Sequence, residues 1–265
     1  MSHILFPEIQ PLAQPSVFSL QNKLALVTGG GSGIGYHIAE CLVQAGAKVI
    51  LTGRREAVLQ EAVEKLGEQA AYFVHDITEL ATIPKLIADL EETHGPLDIL
   101  VNNAGINMKK HAVDTTDADF DRIMQTNLHA VFAMTRECGK RMMERKSGSI
   151  IMITSMAALY GIDRVVAYSS SKAAVAGMVK ALATEFSPHN VRINGIAPGF
   201  IETPMMLTAM NGDPARRDKA MDRTPMGTWG KPDDIGWAAV FLASEASKFI
   251  TGVSLAVDGG NSIGF

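Results

Sequence analysis

The residues best suited to acid/base chemistry in this sequence are a tyrosine and a lysine four positions apart. Tyr168 and Lys172 enclose three serines in the segment YSSSK. On a helix this spacing places both side chains on one face, about one turn apart. A free tyrosine has a pKa of about 10, and a neighbouring ammonium favours the phenolate. The pair is therefore predicted to transfer protons, with Tyr168 as the acid/base and Lys172 as the group that lowers its pKa.

A glycine-rich turn near the start of the chain indicates phosphate binding. Residues 28–35 read TGGGSGIG and stand between an apolar run and a helix-period segment. Glycines allow positive φ and a close approach of pyrophosphate, and a helix start offers unpaired N–H groups. The spacing is T-G-x-x-x-G-x-G, with Gly29, Gly33 and Gly35, and the stricter G-x-G-x-x-G pattern fails at Tyr36. A glycine turn without a ligand is the alternative, but the strand–turn–helix context favours a dinucleotide.

The segments that must position these residues alternate between short apolar runs and helix-period stretches. Apolar runs without polar alternation are typical of parallel strands covered on both faces. The pattern predicts a doubly wound α/β fold of Rossmann type, a mostly parallel seven-stranded sheet with helices on both faces and ligands beyond the carboxyl ends of the strands. The predicted strands are 24–29, 48–53, 71–75, 98–103, 149–155, 191–198 and 253–260, and the predicted helices are 34–45, 56–66, 79–94, 117–145, 167–186 and 233–244.

The composition is that of a globular protein and excludes several classes of function. Of 265 residues, 47% are hydrophobic and 20% charged, which excludes a disordered chain. The formal net charge of −4 gives no basic field for nucleic acid or an anionic membrane. Residues 1–20, with three prolines, are expected to form an N-terminal arm, and residues 21–265 a single domain.

Cysteine and histidine usage predicts neither a disulfide nor a metal site. Cys41 and Cys138 stand far apart without partners at ligand spacing, and the seven histidines show no H-x-x-x-H pattern. The chain has no apolar run long enough to span a membrane. A reduced, cytoplasmic protein is expected.

Five motifs besides the glycine turn make this chain resemble the short-chain dehydrogenase/reductase family from about residue 20 onward. Each stands at the position in the strand–helix order where the family has its own. They are Asn102-Asn103-Ala104-Gly105, Ser155, the YSSSK segment, Pro198-Gly199 and Asp258-Gly259-Gly260.

The resemblance implies an enzyme that moves a hydride between a nicotinamide cofactor and a secondary alcohol or ketone. In this family pattern Ser155 donates a hydrogen bond to the reacting oxygen. Lys172 also bonds the nicotinamide ribose, and Asn127 holds a water behind the lysine. Tyr168 completes this catalytic set.

The end of the second predicted strand favours NADP(H) over NAD(H). NAD-binding proteins usually carry a carboxylate there for the ribose hydroxyls, whereas this chain has Gly53 followed by Arg54 and Arg55. Arginine suits the 2′-phosphate. Two points oppose this prediction: the glycine loop supplies no basic residue, and the arginines could simply be solvated.

The resemblance also assigns the remaining cofactor contacts. Asp76 matches the aspartate that bonds the adenine amino group, and the segment after residue 198 should run beside the nicotinamide amide. The predicted contacts, besides the arginines, Tyr168 and Lys172, are Gly29, Ser32, Gly33, Ile34, Gly35, Asp76, Ile77, Asn103, Ala104, Gly105, Pro198, Gly199, Ile201 and Thr203.

Residues 202–228 break the strand–helix rhythm and match the family's substrate loop. Within the family, the chain looks most like the sugar-acid dehydrogenases, which implies a substrate such as gluconate or 5-ketogluconate. A carboxylate needs a cation, and the candidates are Lys109, Lys110, Arg164 and Arg223, with Asn107 and His111 for hydroxyls.

Two other functions stay open from the sequence. A reductase of 3-oxoacyl thioesters resembles this chain almost as closely. A non-catalytic NADP(H)-sensing module is the third possibility, although such modules can lose the acid/base residues that this chain keeps. The family also implies a homotetramer, with helices 117–145 and 167–186 packed against symmetry mates.

Overall fold

The structure is a computed structural model that describes residues 17–264, except for the side chains of residues 205 and 209. The predicted N-terminal arm therefore lies outside the described residues, apart from its last four positions. Within residues 17–264, no helix combines the length and the apolar character needed to cross a membrane.

Seven strands form one parallel sheet within the described residues, which confirms the predicted fold class. The strand order is β3-β2-β1-β4-β5-β6-β7, and each neighbouring pair is parallel. The order reverses between β1 and β4, where a doubly wound sheet binds its ligands. The strands are β1 (Leu24–Thr28), β2 (Lys48–Gly53), β3 (Ala70–Val74), β4 (Ile99–Asn102), β5 (Gly148–Ile153), β6 (Val191–Pro198) and β7 (Ser254–Val257).

Helices cover both faces of this sheet, and consecutive strand residues enter different cores. In β1, Ala25 and Val27 pack on one face, while Leu24 and Leu26 pack on the other. This arrangement explains why the strand sequences lack polar alternation. The helices are α1 (Gly33–Gln44), α2 (Glu56–Leu66), α3 (Ile83–His94), α4 (Asp117–Met124), α5 (Ala130–Arg145), α6 (Val166–Phe186), α7 (Pro204–Asn211), α8 (Pro214–Asp222) and α9 (Pro232–Ala243).

The predicted helix 117–145 is wrong in one respect, because a π turn at Gln125–His129 separates α4 from α5. The start of α4 is marked by a capping box between Thr116 and Asp119. The π turn surrounds Asn127, which is fully buried. Such turns occur often at functional sites, and hydrophobic periodicity does not reveal them.

Two short helices, α7 and α8, form the segment between β6 and α9 that departs from the strand–helix rhythm. Residues 204–222, which contain both helices, are called the lid below. Pro204 and Pro214 each stand in a first helical turn, where proline is tolerated. Side-chain caps from Thr203 and Asp213 precede them.

The distance between α5 and α6, the helix that carries Tyr168 and Lys172, depends on a glycine. A Cβ on Gly139 would lie 2.2 Å from Cε2 of Phe186. We predict that Gly139→Ala lowers the free energy of unfolding by about 1–3 kcal/mol through overpacking. Urea denaturation measures the change. In a Phe186→Leu background the cost of Gly139→Ala should fall, whereas an unchanged cost would contradict the contact as its cause.

Candidate active site

The predicted site residues come together at the carboxyl ends of the central strands. Thr28 ends β1, Asn103 follows β4, Ser155 follows β5, and Pro198 ends β6. Carboxyl ends of neighbouring parallel strands meet at one edge, so four distant parts of the chain share one cleft.

The glycine turn between β1 and α1 has the backbone conformation that only glycine adopts readily. Gly29 and Gly33 have φ values of +64° and +56°. A Cβ on Gly35 would lie 2.3 Å from the carbonyl oxygen of Gly29 and 2.4 Å from Nδ2 of Asn103. Side chains at these positions would therefore change the shape of the turn.

Hydrogen bonds fix this turn to the loop after β4. Asn103 Nδ2 donates to the carbonyl oxygens of Thr28 and Gly29 at 3.0 and 3.1 Å. The Thr28 hydroxyl accepts from the backbone N–H groups of Asn103 and Ala104 at 3.0 and 3.1 Å. Sequence analysis assigned Asn103 to the cofactor wall and missed this positioning role of its amide and of Thr28. A polar residue ending a buried strand was the available signal.

The start of α1 fits a dinucleotide pyrophosphate. Within the described residues, the Ser32 side chain makes no capping bond, and the first turn of α1 contains no acidic side chain. The N–H groups at this helix start therefore keep their positive dipole end uncompensated. Together with the glycine conformations, this arrangement is suited to a bound phosphate.

Just after the carboxyl end of β2, the two predicted arginines have different surroundings. Arg54 Nη1 lies 3.8 Å from Oδ2 of Asp76, although its side chain is 69% exposed. Asp76 Oδ1 accepts from the backbone N–H and the hydroxyl of Thr78 at 3.0 and 2.8 Å. Burial raises the pKa of Asp76, but the Thr78 bonds and the Arg54 charge outweigh it and lower the pKa. Arg55 is exposed at the N-cap position of α2.

The segment after β6 approaches the glycine turn. A Cβ on Gly33 would lie 3.9 Å from Cγ2 of Thr203, and the Thr203 hydroxyl caps α7 by accepting from the N–H of Met206 at 3.3 Å. A Cβ on Gly199 would lie 2.6 Å from Cα of Asp258, so the close approach of the two chain segments there requires glycine. Ile201 is buried. The predicted nicotinamide side of the site thus adjoins the predicted phosphate turn.

Tyr168, Lys172 and Ser155 lie close together and are largely buried. Lys172 Nζ lies 5.7 Å from the centroid of the Tyr168 ring, so the two side chains share a face of α6. The Ser155 hydroxyl is near enough to the phenol of Tyr168 to favour its charged form. The same hydroxyl also accepts from the N–H of Ala157 at 3.0 Å, which fixes the position of the serine.

Burial controls the pKa values of both ionisable partners. It raises the pKa of Tyr168, and the hydrogen bond from Ser155 opposes this only in part. Burial also lowers the pKa of Lys172 to about 8. The ammonium donates to the carbonyl oxygen of Ile153 at 2.7 Å. Desolvation disfavours the charged forms of both groups, and the expectation that Lys172 lowers the pKa of the phenol stays a prediction.

Asn127 positions the backbone beside Lys172. Its Oδ1 accepts from the N–H of Ile106 at 2.9 Å, and its Nδ2 donates to the carbonyl of Ile106 at 2.9 Å and to the hydroxyl of Ser171 at 3.1 Å. A Cβ on Gly105 would lie 3.3 Å from this Oδ1 and 3.6 Å from Lys172 Nζ. The predicted contact with a water stays a prediction, but the side chain joins three elements around the lysine.

The four cations predicted to hold a substrate carboxylate all have protein partners. Lys109 pairs with Asp213 at 2.9 Å, Lys110 with Asp119 at 2.8 Å, and Arg164 with Asp163 at 3.2 Å. The Arg223 guanidinium stacks 4.2 Å from the centroid of the Tyr160 ring and donates to the carbonyl of Asn261 at 2.9 Å. Asn107 accepts from the N–H of Met108, and His111 accepts through its carbonyl from the hydroxyl of Thr115.

One cluster of potential metal ligands lies where α1 meets α9. His37, Glu40 and Asp233 bring their ligand atoms within 4.8 Å of one another. Sequence spacing could not reveal it, because Asp233 is distant in the chain. His37 Nδ1 lies 2.8 Å from Oδ1 of Asp233 and 3.3 Å from Oε2 of Glu40.

Comparisons with known proteins agree with this arrangement. The family model described as "Enoyl-(Acyl carrier protein) reductase" matches residues 29–262. The chain is 41% identical to a 2-dehydro-3-deoxy-D-gluconate 5-dehydrogenase of Bacillus subtilis, over 92% of this chain and 96% of the relative. It is 36% identical to a gluconate 5-dehydrogenase of Gluconobacter oxydans, over 95% and 99%. A crystal structure of a gluconate 5-dehydrogenase from Burkholderia cenocepacia in complex with NADP and tartrate superposes with a TM-score of 0.90 at 34% identity, covering 95% of this chain and 99% of the other.

The buried ammonium of Lys172 gives a testable pH dependence of stability. Its pKa is about 8 in the folded protein and 10.5 without burial, so between these values the unfolded chain binds the extra proton and stability rises with pH. Methionine carries no charge. The stability advantage of Lys172→Met over the wild type should therefore shrink by about 2 kcal/mol between pH 7 and pH 9.5.

Urea denaturation at several pH values measures this difference. Lys180→Met, which removes an exposed lysine from the same helix, serves as the control and should give a profile parallel to that of the wild type. Parallel profiles for Lys172→Met as well would contradict a buried ammonium at this position.

Proposed function

Because the chain belongs to the short-chain dehydrogenase/reductase family, we propose that it moves a hydride between a nicotinamide cofactor and a secondary alcohol or ketone of a sugar acid, such as gluconate or 5-ketogluconate. The observation that carries the proposal is the close approach of Ser155, Tyr168 and Lys172 at the edge of the sheet where the glycine turn also lies.

In the proposed reaction, the protein handles the proton and orients the substrate. Bound nicotinamide supplies or accepts the hydride. The Tyr168 phenol donates a proton to the substrate oxygen during reduction and removes it during oxidation. The Ser155 hydroxyl holds the same oxygen as charge develops on it. Lys172, held by the Ile153 carbonyl beside Asn127, would bond the ribose of the cofactor and pass the proton on toward solvent.

Because the pKa of Tyr168 is raised, reduction and oxidation of the substrate depend differently on pH. At neutral pH the protein groups alone keep the phenol protonated, which is the form that reduction uses. Oxidation needs the phenolate, so alkaline conditions favour it. A positively charged cofactor ring beside the phenol would lower that pKa and bring oxidation closer to neutral pH.

We propose a sugar acid rather than a thioester as the substrate because of the substrates for which the relatives are named. Proteins named for sugar-acid or polyol substrates cover more than nine-tenths of this chain at 36–41% identity. The family model carries the name of an acyl-carrier-protein reductase, so the thioester remains the second candidate.

Turnover of gluconate and 5-ketogluconate is to be compared with that of an acetoacetyl thioester, with NAD(H) and NADP(H) in parallel. Activity with the thioester alone would refute the sugar acid.

NADP(H) is the proposed cofactor. Gly53 leaves no carboxylate to repel a 2′-phosphate, and Arg54 and Arg55 present exposed guanidinium groups beside it. Asp76 steadies Arg54, while Arg55 has an exposed side chain. One relative is named an NADP-dependent alcohol dehydrogenase, and the Burkholderia structure contains NADP.

A homotetramer is also part of the proposal. Phe132 on α5 and Val166 on α6 are each 42% exposed, and their burial against another copy would remove apolar surface from water.

Tyr168→Phe tests the acid/base assignment. The variant lacks only the phenolic oxygen, so we expect turnover to fall by about 10²–10⁴-fold while the affinity for NADP(H) is kept. Steady-state kinetics and nucleotide fluorescence measure the two quantities. Tyr72→Phe removes an exposed phenol that bonds Glu56 and should leave turnover unchanged. A fully active Tyr168→Phe enzyme would refute the assignment.

Arg55→Ala and Arg54→Ala test the cofactor proposal. Each should raise the KM for NADP(H) by about 10- to 100-fold, the loss of one charge-assisted bond, and leave the KM for NAD(H) nearly unchanged. Arg55 makes no side-chain capping bond in α2, so its loss should not disturb that helix. An equal effect on both cofactors would show that the arginines do not read the 2′-phosphate.

A further inference from the structure

A group of potential metal ligands joins α1 to α9, away from the proposed acid/base residues. His37 and Glu40 stand three residues apart on α1, and Asp233 stands in the first turn of α9. The buried apolar residues of α1 and α9 belong to the core on one face of the sheet, whereas those of α6 belong to the core on the other face. The group is therefore separate from the helix that carries Tyr168.

The close packing of α1 against α9 brings the three side chains together. A Cβ on Gly236 would lie 2.4 Å from Sγ of Cys41 and 2.8 Å from the carbonyl oxygen of His37, so the two helices approach closely at this glycine. Asp233 precedes Gly236 by three residues and shares its face of α9. His37 and Glu40 likewise share a face of α1. The ligand atoms are thus positioned by packed helices rather than by a loop.

The distances between the ligand atoms fit one coordination sphere. His37 Nδ1 lies 2.8 Å from Oδ1 of Asp233 and 3.3 Å from Oε2 of Glu40, and ligand atoms of all three residues lie within 4.8 Å of one another. Two zinc bonds of about 2.0–2.1 Å at a tetrahedral angle place their ligand atoms about 3.3 Å apart. The three side chains can therefore surround an ion after small movements.

The imidazole nitrogen has no hydrogen bond despite these contacts. Within residues 17–264, His37 Nδ1 is one of four buried side-chain polar atoms that lack a hydrogen-bond partner. The nearer oxygen, Oδ1 of Asp233, therefore lies to the side of the direction in which the ring nitrogen points. An imidazole that binds a metal has this arrangement, because its lone pair is directed at the ion and the other ligands lie beside that direction.

The two carboxylates also lack a compensating lysine or arginine. In the part of the chain that the structure describes, the ion-pair partner of both Glu40 and Asp233 is His37. With a neutral imidazole the group carries two negative charges, which a divalent cation would neutralise. Oε1 of Glu40 accepts from the Tyr36 hydroxyl at 3.4 Å, so the carboxylate is oriented with Oε2 toward His37. Asp233 is 56% exposed, which gives an ion a path from solvent.

We propose that His37, Glu40 and Asp233 form a binding site for a divalent transition-metal ion such as zinc. Zinc takes imidazole and carboxylate ligands together, and a water completes its usual four ligands. Magnesium and calcium are disfavoured, because they prefer oxygen ligands alone. The ion joins the helix that follows the glycine turn to α9, so it stabilises the folded chain, whatever the substrate of the enzyme is.

Titration calorimetry with zinc chloride tests the site, on the full chain without a polyhistidine tag and after treatment with a chelator. The wild type should bind one zinc ion through these residues. His37→Gln and Asp233→Asn replace strong ligands by weakly coordinating amides, and each should lower the affinity at least about tenfold. His189→Gln and Glu68→Gln remove an exposed imidazole and an exposed carboxylate elsewhere, and should leave the affinity unchanged.

Thermal unfolding gives a second readout that does not depend on the stability of each variant. Zinc at about 100 times its dissociation constant should raise the Tm of the wild type by about 5–10 °C, because it binds the folded state. The same zinc concentration should leave the Tm of His37→Gln and Asp233→Asn nearly unchanged. A wild type that binds no zinc would overturn the inference, and so would zinc affinity that persists in both ligand variants.

Discussion

The desolvation of two ionisable side chains in one pocket governs this site. Tyr168 and Lys172 stand one helical turn apart, and burial pushes both toward their neutral forms. An ammonium can stabilise a phenolate only while it is itself charged, and a pKa of about 8 leaves Lys172 charged at neutral pH with little margin. A cationic cofactor ring beside the phenol would add positive charge to that of the lysine and favour the phenolate further.

The surrounding structure keeps that pocket in place by hydrogen bonds between distant segments. Asn103 and Thr28 join the loop after β4 to the glycine turn, and Asn127 joins the same loop to α6. The Asn103 and Asn127 side-chain amides each bond backbone groups of another segment. The glycine turn and α6 are consequently connected through a loop of a few residues.

Sequence patterns were sufficient to predict the strands and helices whose apolar residues recur regularly. Buried parallel strands have uninterrupted apolar runs, and motifs at their ends fall at one edge of the sheet, so Ser155 and Tyr168 could be expected to meet. The π turn at Asn127 breaks no hydrophobic period, so it left no comparable signal. The rise in the Tyr168 pKa that burial causes also left no signal, because spacing gives the distance to a charge but not the depth of burial.

Ion pairs between distant segments are another feature that sequence spacing cannot predict, and they give two adjacent lysines different partners. The sequence presents Lys109 and Lys110 as adjacent and equivalent cations. In the structure, one supports the capping box of α4 and the other reaches the lid. Hydrogen bonds of buried side chains hold Asn127 and Lys172, whereas a partly exposed ion pair joins the loop after β4 to the lid. A site that must release its product needs its exchangeable contacts to be solvent-accessible, because only those can be replaced at small cost.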